Sequence, residues 1–156
     1  MPFKLPWMTE EEIEELIDEQ MICRIAFNGP DHPYLAPFQY VILEGEMYFH
    51  FTNYGRKMRL IKRDNRACVQ IERYEPDLSS YSFISMRGRL VIVDDDEERK
   101  RVTEKFSEEG RESLSPSFLA AHGIDPLEGW ESLSHEKDLV IVKLEDIVDK
   151  VGLKSP

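Results

Sequence analysis

The chain has 156 residues, with 20 Lys plus Arg against 31 Asp plus Glu and a formal net charge of -11. This length suits one domain, and the 41% hydrophobic content excludes a wholly disordered chain. The negative charge argues against general binding to nucleic acid, because an acidic surface repels phosphate. The longest apolar runs are too short to span a bilayer. We therefore expect neither nucleic acid nor a membrane as a partner.

The N-terminal stretch and the cysteines indicate the compartment. MPFKLPWMTEEE lacks the extended apolar core and the small-residue cleavage site of a secretory signal. The two cysteines, Cys23 and Cys68, cannot build a disulfide framework and lie in no CxxC pattern, which favours two reduced thiols. We expect a cytoplasmic protein.

The first predicted element is a helix that begins at a capping box. The Thr9 hydroxyl can accept a hydrogen bond from a backbone N–H three residues on, and Glu12 can reach back to the start of the helix. Three strand-like segments then follow, separated by turn signals, at residues 21–27, 33–43 and from 47 onward. We expect them to pair as a three-stranded antiparallel meander.

The second half of the chain alternates between strands, helices and irregular stretches. The predicted elements are strands at 67–73 and 81–94, a helix that starts at the acids 94–98 and runs to 109, a weakly periodic stretch at 110–137, a strand at 138–144 and a short turn at 145–150. Strands outnumber helices and most connections look antiparallel. This pattern favours a mainly β, α+β architecture, a small closed barrel with peripheral helices. We expect one domain over residues 1–156, with a barrel core at about 21–94 and 138–149 and a helical and loop excursion at 95–137.

Residues 47–68 carry the strongest functional signal. A strand ends at Thr52, the chain turns at Gly55, and a short basic helix opens with Arg56 and Lys57. Free backbone N–H groups at a helix start, a hydroxyl and two cations can converge on a phosphate. The alternative is a solvated basic helix that only offsets neighbouring acids.

The same residues resemble the flavin-binding segment of the pyridoxamine 5'-phosphate oxidase-like split-barrel proteins. The resemblance rests, in chain order, on PYLAPFQY at 33–40, YFHFTNYGRK at 48–57, DNRACV at 64–69 and FISMRGRL at 83–90. It covers roughly residues 21–93. It implies a six-stranded antiparallel split β-barrel that forms a homodimer, with FMN, or alternatively FAD, at the subunit interface.

The resemblance also implies which residues contact the cofactor. Arg56 and Lys57 would hold the phosphate, with the Thr52 hydroxyl beside them. Trp130 would cover the flavin of the partner subunit, although a loop tryptophan can instead pack on its own domain. The remaining contacts lie along two strands, at Phe38, Gln39, Tyr40, His50 and Phe51. Packing in the core is the alternative for Tyr40 and Phe51, and a satisfied structural histidine is the alternative for His50.

Other chemistries find no support in the sequence. The four histidines show no HxH, HxxxH or HExxH spacing, so we predict no metal site. GxSxG and GxGxxG are also missing from the sequence. Because a flavin can itself accept a hydride, no catalytic residue is assigned, and the substrate and electron donor stay unknown.

The chain departs from the classical oxidase at two places. Its phosphate motif is the shorter Gly55-Arg56-Lys57, and residues 138–156 contain no Trp- and Arg-containing segment for pyridoxal phosphate. These departures argue against vitamin B6 oxidation, and the sequence looks closer to the nitroimidazole-resistance-like branch. The leading hypothesis is a homodimeric FMN-binding oxidoreductase. The alternatives are a flavin carrier or sensor without turnover, and a related barrel that binds FAD, haem or another anionic ligand.

Overall fold

The computed structural model describes residues 1–135 and 138–156. Within these residues, seven strands form one antiparallel sheet that curls into a half-barrel. The strands are β1 (Ile22–Phe27), β2 (Tyr34–Gln39), β3 (Val41–Leu43), β4 (Glu46–Thr52), β5 (Arg66–Tyr74), β6 (Tyr81–Ile92) and β7 (Leu139–Lys154). The helices are α1 (Glu10–Glu19), α2 (Arg56–Arg63) and α3 (Asp96–Ser113), joined by 3-10 helices at Pro116–His122, Pro126–Glu128 and Trp130–His135. The predicted mainly β split-barrel class is confirmed.

The strand order is β2-β1-β5-β6-β7-β4-β3. Both predicted hairpins form, since β1 pairs with β2 and β3 pairs with β4. The predicted meander is nevertheless wrong, because β2 and β3 lie at opposite edges of the sheet. The segment predicted as a single strand at 33–43 breaks at Tyr40, and this break accounts for a seventh strand where six were expected.

Tyr40 forms the corner that connects the two sheet edges. Its backbone N–H donates to the Met21 carbonyl at 3.0 Å, and its hydroxyl donates to the Ile17 carbonyl at 2.5 Å. The side chain is 2% exposed, so it is anchored in the core. Since three consecutive residues pass from one edge to the other, the sheet must curl on itself.

β7 joins the two parts of the sheet. It pairs with β4, where His50 lies opposite Ile141, and with β6 as far as the pair Ser82 and Lys154. The turn predicted at 145–150 is wrong, because the chain there continues as a strand across a bulge at Asp146, which has a φ of 50°. Opposite the bulge, an added Cβ at Gly88 would lie 2.6 Å from the Glu145 carbonyl oxygen, so a side chain does not fit.

The excursion after β6 is more regular than its sequence indicated. α3 continues to Ser113, and the 3-10 helices fold back on it around a second apolar core. That core includes Val102, Phe106, Leu119, Trp130 and Leu133, while the first core fills the barrel. Residues 136 and 137, at the end of the predicted excursion, lie outside the described residues. Within the described residues, no helix has both the length and the apolar character needed to cross a bilayer.

The predicted capping box at α1 is confirmed. The Glu12 N–H donates to the Thr9 hydroxyl at 3.1 Å, and the Thr9 N–H donates to the Glu12 carboxylate at 3.0 Å. Thr9→Ala should lower the free energy of unfolding by about 1 kcal/mol, because one N-terminal N–H loses its partner. Urea denaturation measures the change. Glu14→Ala, at an exposed position within the helix, is the control and should change stability by less than about 0.5 kcal/mol.

Candidate functional site

A pocket of about 340 Å³ lies between β2 and β4. These two strands approach each other across the curled sheet but are not paired neighbours. The side chains that converge there come from both strands, from α2 and from the Pro116–His122 helix. The pocket is lined by several residues that the sequence indicated, namely Phe38, Gln39, His50, Phe51, Thr52 and Lys57.

The other three predicted contacts lie elsewhere. Tyr40 is the corner residue described above, and burial raises the pKa of its hydroxyl. Arg56 lies beside the pocket, with its guanidinium 5.0 Å from the centre of the Tyr34 ring. Trp130 is 3% exposed and packs within its own chain, behind His122. The 3-10 helices turn the indole inward against Gly110 of α3, and its contact with a partner's flavin stays a prediction.

Arg56 and Lys57 are cations without an acidic partner among residues 1–135 and 138–156. Neither forms an ion pair with a carboxylate in the described residues, whereas Arg24, Arg66 and Arg87 each do. Lys57 instead places its ammonium 5.0 Å from the centre of the Phe38 ring. In a chain with a net charge of -11, two such neighbouring cations create a local site for an anion.

The start of α2 adds further donors to this site. Its N-cap is Gly55, which has a φ of 94° and offers no side chain to the backbone N–H groups of the first turn. Thr52 lies just before it, and its hydroxyl donates to the Tyr54 carbonyl at 2.9 Å. A hydroxyl carries one donor proton, so Thr52 would donate to an anion only after releasing the Tyr54 carbonyl. Free N–H groups at a helix start favour an anionic group.

Two histidines pack together in the pocket wall. His50 comes from β4 and His122 from the end of the Pro116–His122 helix, and their ring centres are 4.1 Å apart. Burial, followed by the nearby His122 and Lys57, lowers the pKa of His50 well below its ordinary value. Burial and then Lys57 lower the pKa of His122 to about 4. Both imidazoles are therefore neutral near pH 7.

The same wall holds polar atoms that lack hydrogen bonds. Both amide atoms of Gln39, and the Nε2 atoms of His50 and His122, are buried without a partner among the described residues. An unsatisfied buried polar atom costs about 1–3 kcal/mol, and such atoms are rare in native proteins. Their concentration at one pocket indicates a site built for a ligand with polar groups.

Sequence reasoning missed the contribution of the Pro116–His122 helix. Phe118, Ala121 and His122 line the pocket together with Gly123, which ends the helix at a φ of 77°. The His-Gly step was a signal for a helix end, yet nothing in the spacing places it opposite His50. Asp138 and Tyr54 complete the rim. The arrangement can hold a molecule with an anionic end, a flat apolar body and neutral polar groups.

Lowering the pH is expected to destabilise the protein through this histidine pair. An imidazole whose pKa is lower in the folded than in the unfolded chain contributes stability above the unfolded value of 6.5, and this stability is lost as the pH falls toward the folded value, about 4 for His122. Between about pH 7 and pH 5, the free energy of unfolding should therefore fall by about 1–2 kcal/mol less in His122→Gln than in the unmodified protein. Urea denaturation at both pH values measures this difference.

The control for this measurement is His32→Gln, at an exposed loop position. It should leave the pH dependence as it is in the unmodified protein. If His122→Gln also left the dependence unchanged, the lowered pKa of His122 would be wrong.

Comparison with known proteins adds a family and several structures of the same fold. The model of the family described as pyridoxamine 5'-phosphate oxidase matches residues 9–121. A search of the curated proteins found no match. Among solved structures, an FAD-binding protein from Mesorhizobium loti aligns with a TM-score of 0.70 and 14% identity, over 99% of this chain and 100% of its own.

Two further solved structures share this fold. A candidate 5-nitroimidazole antibiotic resistance protein from Bacteroides thetaiotaomicron aligns with a TM-score of 0.66 and 17% identity, over 97% of this chain and 87% of its own. The haem storage protein HutZ from Vibrio cholerae aligns with a TM-score of 0.67 and 15% identity, over 93% of this chain and 94% of its own. At these identities the likeness establishes a shared fold.

Proposed function

Because the chain belongs to the pyridoxamine 5'-phosphate oxidase family, we propose that it binds FMN in the pocket between β2 and β4 and acts as an oxidoreductase. One observation carries the proposal. Gln39, whose buried amide has no partner among the described residues, lies in the same pocket as Lys57, a cation without a carboxylate partner in those residues, and Arg56 lies beside the pocket. A ligand with a phosphate and a polar ring would satisfy the Gln39 amide and the two cations.

The residues present fit the parts of FMN. Arg56, Lys57 and the N–H groups at the start of α2 would hold the phosphate, and the Thr52 hydroxyl would join them by releasing the Tyr54 carbonyl. The Gln39 amide can both donate and accept, as the polar edge of the flavin ring requires. The aromatic rings of Phe38, Phe51 and Phe118 line the pocket and would enclose the ring system. The bound flavin would supply the redox chemistry by accepting a hydride.

A homodimer and a cytoplasmic location belong to the same proposal. Several large apolar side chains remain exposed, and one of them, Tyr54, is 63% exposed at the rim of the pocket. Such exposed groups favour a surface that a second subunit covers. Both cysteines are free thiols, which is typical of a reducing compartment.

The visible absorption spectrum of the concentrated protein tests cofactor binding. We expect a flavin spectrum, and mass analysis of the released chromophore should identify FMN. Release of FAD would support the flavin site and identify the cofactor as FAD instead of FMN. A colourless protein that also takes up no added FMN would overturn the proposal and favour a different anionic ligand.

A flavin carrier or sensor without turnover is the alternative to an enzyme. Anaerobic mixing of the FMN-loaded protein with NADH, NADPH or a reduced deazaflavin separates the two. Bleaching of the flavin band by one donor at a saturable rate is the result expected for an oxidoreductase. If none of these donors reduces the bound flavin, the carrier or sensor role is favoured.

A further inference from the structure

We propose that His50 and His122 form a substrate subsite for an uncharged, planar molecule with a conjugated carbonyl or a comparable hydrogen-bond acceptor. This inference rests on the proposed function, because it places the substrate in the pocket that would hold the flavin. It assigns a role to His122, which lies outside the segments that carry the family resemblance.

The two imidazoles are held in place by aromatic neighbours on several sides. The His50 ring lies edge-on to Phe106, with ring centres 4.7 Å apart. The centre of the His122 ring lies 5.2 Å from the centre of the Phe118 ring and 5.8 Å from that of the Trp130 ring. A ring fixed in this way presents its nitrogen atoms in a defined geometry, so little conformational entropy is lost when a ligand binds.

Hydrogen-bonding capacity is the second part of the argument. A neutral imidazole has one donor nitrogen and one acceptor nitrogen. The Nε2 atoms of His50 and His122 have no partner among the described residues. His50 is 9% exposed, so bulk water does not satisfy its ring nitrogen. A ligand with a carbonyl oxygen and a neighbouring N–H group would complete these hydrogen bonds.

Charge decides between a neutral and an ionic ligand. Burial keeps both imidazoles uncharged, since it lowers the pKa of each ring. Among the described residues, the charged ones that line the pocket are Lys57 from α2 and Asp138 before β7, and Asp138 has interactions of its own within the chain. Once Lys57 binds the flavin phosphate, none of these described lining residues offers a second cation to an anionic substrate. A cationic substrate would meet Lys57 and two neutral rings, with Asp138 as the single carboxylate among the described lining residues.

The shape of the pocket favours a flat molecule. Phe38 and Phe51 contribute rings from β2 and β4, with centres 5.0 Å apart, and Phe118 contributes a ring from the Pro116–His122 helix. Aromatic walls bind planar conjugated molecules well because their faces can stack. Neutral hydrogen-bond donors at the end of such a slot can also polarise a carbonyl, as a neutral imidazole does in other enzymes.

Three probes of the same size but different charge test this inference on the FMN-loaded protein. They are benzamide, which is neutral, benzenesulfonate, which is anionic, and benzamidine, which is cationic at neutral pH. Ligand-observed NMR titration gives the dissociation constant of each. We expect benzamide to bind at least about tenfold more tightly than either charged probe, which corresponds to one or two hydrogen bonds.

Variants then assign the preference to the histidine pair. His122→Phe keeps an aromatic ring but removes both nitrogen atoms, and it should abolish the preference for benzamide while leaving FMN affinity within about twofold. His122→Asn is the second variant, for use if phenylalanine disturbs the packing. The control is His135→Phe, at an exposed position outside the pocket, which should keep the preference.

Several outcomes would overturn the inference and leave the flavin site intact. They are equal affinities for the three probes, no detectable binding of any probe, or an unchanged benzamide preference in both His122 variants. Binding of benzamide only to flavin-free protein, with competition by FMN, would also overturn it and assign the histidines to the flavin. A protein that binds no FMN, yet prefers benzamide through His122, would refute the proposed function and keep the subsite.

Discussion

Arg56→Ala combined with Lys57→Ala is expected to weaken FMN binding by about 100-fold or more. Each hydrogen bond between a charged side chain and phosphate contributes about 1.5–3 kcal/mol, so loss of two reaches this range. The effect should be large because neither cation has a carboxylate partner in the described residues that would compete with the ligand. Fluorescence titration of flavin-free protein with FMN measures it.

The matched control is Arg59→Ala combined with Lys62→Ala. These cations lie on the same helix, are exposed and do not line the pocket. Their removal changes the net charge by the same amount, and it should weaken FMN binding by less than about threefold. If the two double variants weakened binding equally, the effect would be general electrostatics. If neither changed it, the phosphate assignment to Arg56 and Lys57 would fail.

Trp130→Ala is expected to lower the free energy of unfolding by about 3–5 kcal/mol, because it leaves a cavity in the second core. The indole is 3% exposed and lies so close to Gly110 that an added Cβ there would be 2.3 Å from Cε3. Its backbone carbonyl also accepts a hydrogen bond from the buried Ser107 hydroxyl at 3.1 Å. Urea denaturation measures the loss.

The control for this variant is Trp7→Ala, whose side chain is 68% exposed. Its cost should stay below about 1 kcal/mol. FMN content per folded molecule is the second readout, and we expect Trp130→Ala to retain it. A variant of normal stability that had lost FMN would contradict the packing role and support the cofactor contact expected from the sequence.

Local signals in the sequence predicted the elements better than their arrangement. The capping box at Thr9 and the two hairpins depend on residues close together in the chain, and both were recognised. The break at Tyr40 was missed because the hydrogen bonds that fix this residue reach back to Ile17 and Met21, far earlier in the chain. The full length of β7 was missed for a similar reason. Its polar residues after 144 resemble a turn, and pairing with β6 makes them a strand.

The residues of the candidate site also divide into those that the local sequence predicts and those that it does not. Residues 48–57 form a contiguous motif, so His50, Thr52 and Lys57 could be assigned to one place from the sequence. His122 and Phe118 reach that place only because α3 and the 3-10 helices pack around Phe106 and Leu119. Their positions follow from tertiary packing, and no spacing rule connects them to β4.

The position of β7 has a consequence for how the protein is made. On the side away from β3, residues 48–52 of β4 pair with residues 139–143 of β7. This pairing closes a very long loop. As the ribosome releases the chain from its N-terminal end, the β3–β4 hairpin emerges well before β7 and exposes an unpaired edge meanwhile. Such edges invite pairing with other chains, and non-local pairing slows folding. Early termination of translation before β7 should therefore yield aggregates instead of a smaller folded barrel.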